Sequence, residues 1–154
     1  EGVHLTDRIM RTRYLPLPKT FDLGGRKLEI LQLGGHTRAS SAVIDPSTRT
    51  AFVGDAIGPT LWLFLHPTGT IAEYAARLEA FSQRTDIDWL QLSHKSTPIA
   101  FTFAAYLREF VLRASLEQAE IWPDNRFSVP VYRYAEQDTP YGEMELFFCE
   151  TNLQ

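Results

Sequence analysis

Three side chains in this sequence combine a reactive residue type with a setting that could use it: His36, Asp55 and His94. His36 directly follows Gly34-Gly35, at the close of the apolar run Leu28-Glu29-Ile30-Leu31-Gln32-Leu33. Asp55 follows Gly54 at the close of Ala51-Phe52-Val53, and His94 follows Leu90-Gln91-Leu92-Ser93. Imidazole and carboxylate groups presented by neighbouring strand ends are ligands that zinc accepts, as do iron and manganese. The three positions are separated by 19 and 39 residues, so only the fold can gather them. The remaining histidines, His4 and His66, read as polar surface. His66 sits beside Pro67 in a loop, and His4 is far from any other donor.

The elements that must position these groups follow from local patterning. Residues 28–57 read as strand, sharp turn, strand, short turn, strand. Gly34-Gly35 permits backbone angles closed to other residues, and Asp45-Pro46-Ser47 is a turn sequence. Residues 20–23 and 27–33 form a hairpin around Gly24-Gly25. Residues 68–85 predict a helix, with Thr70 and Glu73 spaced as a capping box and Ile71, Tyr74, Leu78 and Phe81 forming one apolar stripe. Residues 87–92 read as a short buried strand carrying Trp89. Residues 98–118 predict a second helix, with Pro98 in its first turn and an apolar surface broad enough to be buried on more than one side. Strands at 128–134 and 144–149 close the pattern, joined by a Gln-Asp-Thr-Pro-Tyr-Gly turn region. Trp62 and Phe64, in the apolar run after Gly58-Pro59, either line a substrate pocket or pack in a core or against another polypeptide. The arginines between Arg8 and Arg13 either contact an anion or are simply solvated.

Composition narrows the class. A chain of 154 residues with 44% hydrophobic and 22% charged residues is long enough for one domain with a real core and is not disordered in type. The formal charge of −4 offers no basic stripe for a nucleic-acid backbone. No run approaches the ~20 apolar residues of a membrane-spanning helix. Cys149 stands alone, so no internal disulfide forms, which suits a reducing, cytoplasmic compartment. Cys149 reads as a small apolar strand residue or, alternatively, as a reactive thiol. The chain opens Glu-Gly-Val-His, without methionine, as the middle of something larger would.

Taken together, GGHTRASSAVID, TAFVGDAI and the LQLSH strand end resemble the second half of the metallo-β-lactamase superfamily. That half carries a GHTPGS-like turn, a later Gly-Asp strand end and a histidine ahead of a helix. The resemblance spans residues 20–114, and Arg38-Ala39-Ser40 departs from the family's Pro-Gly-Ser. It implies an α/β chain forming half of an αββα sandwich: a mostly antiparallel or mixed sheet, two main helices on one face, and residues 1–154 as a single domain. It also implies that His36, Asp55 and His94 are metal ligands, with Asp55 bridging two zinc ions (iron or manganese being alternatives). A metal-held hydroxide would then hydrolyse an ester, thioester, amide or phosphoester of a small-molecule substrate.

The family's other ligands come from an H-x-H-x-D-H loop, which this chain lacks. Half a fold would expose an apolar sheet face. The resemblance therefore implies either a homodimer through that face or association with the missing N-terminal half, with no nucleic acid or membrane partner. Three readings stand side by side: the C-terminal part of a metal-dependent hydrolase, inactive without its first half; a non-catalytic dimerising or binding module that keeps the fold; and an unrelated α/β protein. The first requires the three side chains to approach one point at a sheet rim.

Overall fold

The computed structural model describes residues 17–65, 68–123 and 126–153. His4, the arginines from Arg8 to Arg13 and His66 lie outside them. Among the described residues there are two sheets and two α-helices. The first sheet takes β1 (Thr20–Asp22), β2 (Lys27–Gln32), β3 (Ser41–Asp45), β4 (Thr50–Gly54), β6 (Trp89–Leu92) and β7 (Ile99–Ala100), side by side in that order. The second takes β5 (Thr60–Trp62), β10 (Gly142–Phe148), β9 (Tyr132–Thr139) and β8 (Glu120–Ile121). The helices are α1 (Ile71–Ser82) and α2 (Phe103–Arg113), and a 3-10 turn occupies Glu150–Leu153. Mixed sheets and two helices are the α/β architecture expected. The expectation of one sheet is corrected, because the chain contributes strands to two.

Local chemistry explains the elements that formed as read. Asp22 accepts the amides of Gly24 and Gly25 through Oδ1 at 2.9 and 3.2 Å, closing the β1–β2 hairpin. Thr70 caps α1. Its Oγ1 accepts Glu73 N–H while the Glu73 carboxylate accepts Thr70 N–H, both at 3.1 Å. Asp45 is fully buried at the end of β3, yet its carboxylate is satisfied by Arg26, by the Ser47 amide and hydroxyl, and by Thr48 Oγ1.

The second helix is shorter than the pattern suggests. Ile99 and Ala100 pair with Leu90 and Trp89 as β7, and Phe101 N–H donates to Asp88 C=O, so the helix starts only at Phe103. It stops at Arg113 because Ala114 turns extended, with ψ 130°. The later strands also shift. β9 runs to Thr139, and a tight turn at Pro140-Tyr141 leads directly into β10. Thr139 helps hold that turn, its Oγ1 donating to Gly142 C=O and accepting Tyr141 N–H.

The register of the first sheet separates its faces. Ala42, Ile44, Ala51, Val53, Leu90 and Leu92 all point to one side and are buried. They share a core with Tyr74, Leu78 and Phe81 of α1, Leu107 and Phe110 of α2, and Leu61, Met144, Leu146 and Phe148 of the second sheet. Helix α2 bridges the layers: the Phe110 ring packs tilted, 5.3 Å from Tyr134 of β9, and Phe103 lies 4.7 Å from Tyr141. Beyond α1, Arg84 pairs with Glu29 and Asp86, and its guanidinium holds both carboxyls below their ordinary range.

The opposite face carries Ile30, Val43 and Phe52 in register, with Phe21 and Trp89 on the same side. Phe21, Phe52 and Trp89 are each about half exposed, at 52%, 46% and 48%. No helix of the described residues covers this side, as the half-fold reading expects.

Candidate functional site

Three strands of the first sheet set the site. The β2–β3 and β3–β4 pairs are antiparallel and the β4–β6 pair is parallel, so β2, β4 and β6 all run the same way. Their C-terminal ends lie along one rim, and each is followed by one of the sequence-predicted residues: His36, Asp55 and His94. Gly54 and Leu92 are neighbours across the β4–β6 pair, so Asp55 and His94 leave the sheet together. His94 Nε2 lies 3.2 Å from Asp55 Oδ1. The pair opens onto a cavity of about 220 Å³ lined also by Ile57, Pro59, Thr60 and Leu92. It is exposed to solvent, the His94 side chain at 90% and Asp55 at 47%.

His36 does not join them. Strand β3 lies between β2 and β4, which sets those two strands about 10 Å apart. The imidazole is half buried and faces Trp62 of β5, with ring centroids 6.5 Å apart. Trp62 in turn packs against Phe64, Trp122, Phe127 and Phe147, an aromatic cluster on the outer side of the second sheet. Of the two readings open for Trp62 and Phe64, packing holds for both, although Trp62 also borders His36.

The turn that carries His36 is tightly built. Leu33 and Gly34 both donate to Ser40 C=O, Thr37 N–H donates to Ser40 Oγ, and Gln32 Nε2 donates to Arg38 C=O. Ser40 therefore closes the loop even though Arg38-Ala39 stands where the resembling turn has Pro-Gly. Helix α1 lies directly on the double glycine. A Cβ at Gly34 would run into the Arg77 guanidinium, and one at Gly35 would sit 2.8 Å from Tyr74 Cε2 and 3.1 Å from Ala56 C=O. Tyr74 also donates its hydroxyl to Ala56 C=O at 2.5 Å, and burial pushes its phenol well above the ordinary tyrosine range, so it stays a donor. Sequence periodicity shows Tyr74 only as part of an apolar stripe. Nothing local in the chain announces that its hydroxyl meets Ala56.

Among the described residues no three His, Cys, Asp or Glu side chains are grouped to hold a metal ion. Asp55 and His94 fit as two donors of a larger set, and on their own they do not make a metal centre. The approach of all three residues to one point, required by the hydrolase reading, is thus realised for two of them.

No family model and no curated protein matches this sequence. Solved structures do match in shape. A metallo-β-lactamase from Pontibacter korlensis superposes with a TM-score of 0.52 at 17% identity, over 65% of this chain and 48% of its own. The stereoselective inverting sec-alkylsulfatase Pisa1 from Pseudomonas sp. gives a TM-score of 0.50 at 18% identity, over 60% of this chain and 16% of its own. The chain thus spans under half the length of either. No helix among the described residues is long and apolar enough to cross a membrane. Strand order, rim and helices together identify the architecture: this chain has part of the metallo-β-lactamase fold.

Proposed function

We propose that this chain is one part of a metallo-β-lactamase-like hydrolase and supplies one wall of its site. Asp55 and His94, with His36 two strand positions further along the rim, serve as ligands for a metal ion, zinc by donor type with iron or manganese as alternatives. The rest of the ligand set comes from an H-x-H-x-D-H segment outside these 154 residues or on another polypeptide. The metal would supply Lewis acidity toward an ester, thioester, amide or phosphoester. The observation that carries this reading is the Asp55–His94 approach at the parallel β4–β6 ends.

Two donors bind weakly, so the test needs a probe that reports weak binding. Manganese titrated into the chain is expected to broaden the NMR signals of Asp55, His94 and then His36 before all others. Asp55→Asn should remove that selectivity. Broadening centred elsewhere, or none at millimolar manganese, would sink the reading. It would leave the second reading, a binding module without a metal.

The completing segment occupies the uncovered face of the first sheet. Phe52 and Trp89, half exposed there, lie on β4 and β6, the strands that lead into Asp55 and His94. A polypeptide seated on them reaches the ligand rim directly. Sedimentation velocity on the chain alone distinguishes the occupants. A monomer across the micromolar range is expected, whereas a dimer that Phe52→Lys dissociates would assign the face to a second copy instead.

A further inference from the structure

The site as proposed needs His36 and Asp55 held at a fixed separation; β3 lies between their strands, and past the strand ends the two turns abut, a Cβ at Gly35 falling 3.1 Å from Ala56 C=O. One residue touches both turns. Tyr74, buried in α1, lays its ring edge on Gly35, the residue before His36, and donates its hydroxyl to the carbonyl of Ala56, the residue after Asp55. The same helix sets Arg77 over Gly34. Both turns therefore take their position from one rigid element whose own start is fixed by the Thr70 capping box.

We infer that Tyr74 is a positioning residue, a strut on α1 that sets the distance between the His36 turn and the Asp55 turn. Its use in metal binding rests on the hydrolase reading, but the coupling of the two turns does not. The ring alone cannot fix the Asp55 side, because Ala56 is reached through the hydroxyl. Tyr74→Phe keeps the packing and removes that reach. The Ala56 carbonyl is then left without this partner, and its turn is held to Gly35 by direct packing alone.

Amide hydrogen exchange tests the coupling directly. In Tyr74→Phe, amides of residues 35–37 and of 55–57 are both expected to exchange about tenfold faster, the worth of one lost net hydrogen bond. Val111→Ala, a core truncation in α2 away from both turns, controls for general loss of stability and should leave the two segments no faster than the rest. Acceleration in one turn only, in neither, or equally in the control overturns the inference. Manganese affinity provides a second readout that overall stability does not move while the chain stays folded: Tyr74→Phe should weaken it about tenfold, with Val111→Ala unchanged. Unchanged affinity in Tyr74→Phe despite faster exchange also overturns the positioning role. A wild-type chain that shows no localised manganese effect defeats the hydrolase reading instead, and the exchange data then decide the strut by themselves.

Discussion

Gly35→Ala is expected to destabilise the chain by roughly 2–5 kcal/mol, a large share of the ~5–15 kcal/mol that holds a domain of this size together. Two effects add. The backbone at Gly35 has φ +87°, which costs an L-residue about 1–2 kcal/mol. The new methyl also lands 2.8 Å from Tyr74 Cε2 and 3.1 Å from Ala56 C=O. A methyl forced into a filled space costs about 1–3 kcal/mol. Gly142 separates the two, since its φ is +86° but nothing lies within 4 Å of a Cβ there. Gly142→Ala should therefore lose only the conformational part. Urea denaturation of both variants makes the comparison, and equal losses would show that the close approach at Gly35 has no energetic weight.

Phe110→Ala is expected to cost about 3–5 kcal/mol, the range for emptying a fully buried aromatic site. Phe110 is completely buried in α2 and lies against Tyr134 of β9, so its ring joins the helical layer to the second sheet. The main core is continuous across both sheets, and they should melt as one unit before and after the change. Leu112 is 46% exposed on the same helix, and Leu112→Ala should stay within about 0.5 kcal/mol. Thermal unfolding followed by far- and near-UV dichroism reads both variants. Two separated transitions, or a loss for Phe110→Ala below about 1.5 kcal/mol, would contradict a shared core.

What could be read in the chain, and what could not, divides by the reach of the interactions. The Thr70–Glu73 box and the Asp22 hairpin lie within a few residues, and both formed where the pattern put them. Pro98 through Thr102 carries a helical apolar pattern, but strand pairing with Trp89 and Leu90 outweighs it, and two residues become β7. Strands β5 and β8, three and two residues long, are too short to show a period. For the site, each histidine or aspartate after its strand end was visible as a motif. That Asp55 meets His94 follows from the parallel β4–β6 pairing, and that His36 sits on a strand end separated from them by β3 follows from the sheet order. Both are properties of sheet order, which no local pattern encodes.

Among the described residues the first sheet is bounded by β1 and β7, only three and two residues long. Such stubs offer few free main-chain groups for another strand to zip onto. Lateral growth into fibrils is therefore disfavoured at both margins, even though the greasy side stays open. An assembly formed through this sheet is then expected to grow by covering its open face, not by adding strands at its margins.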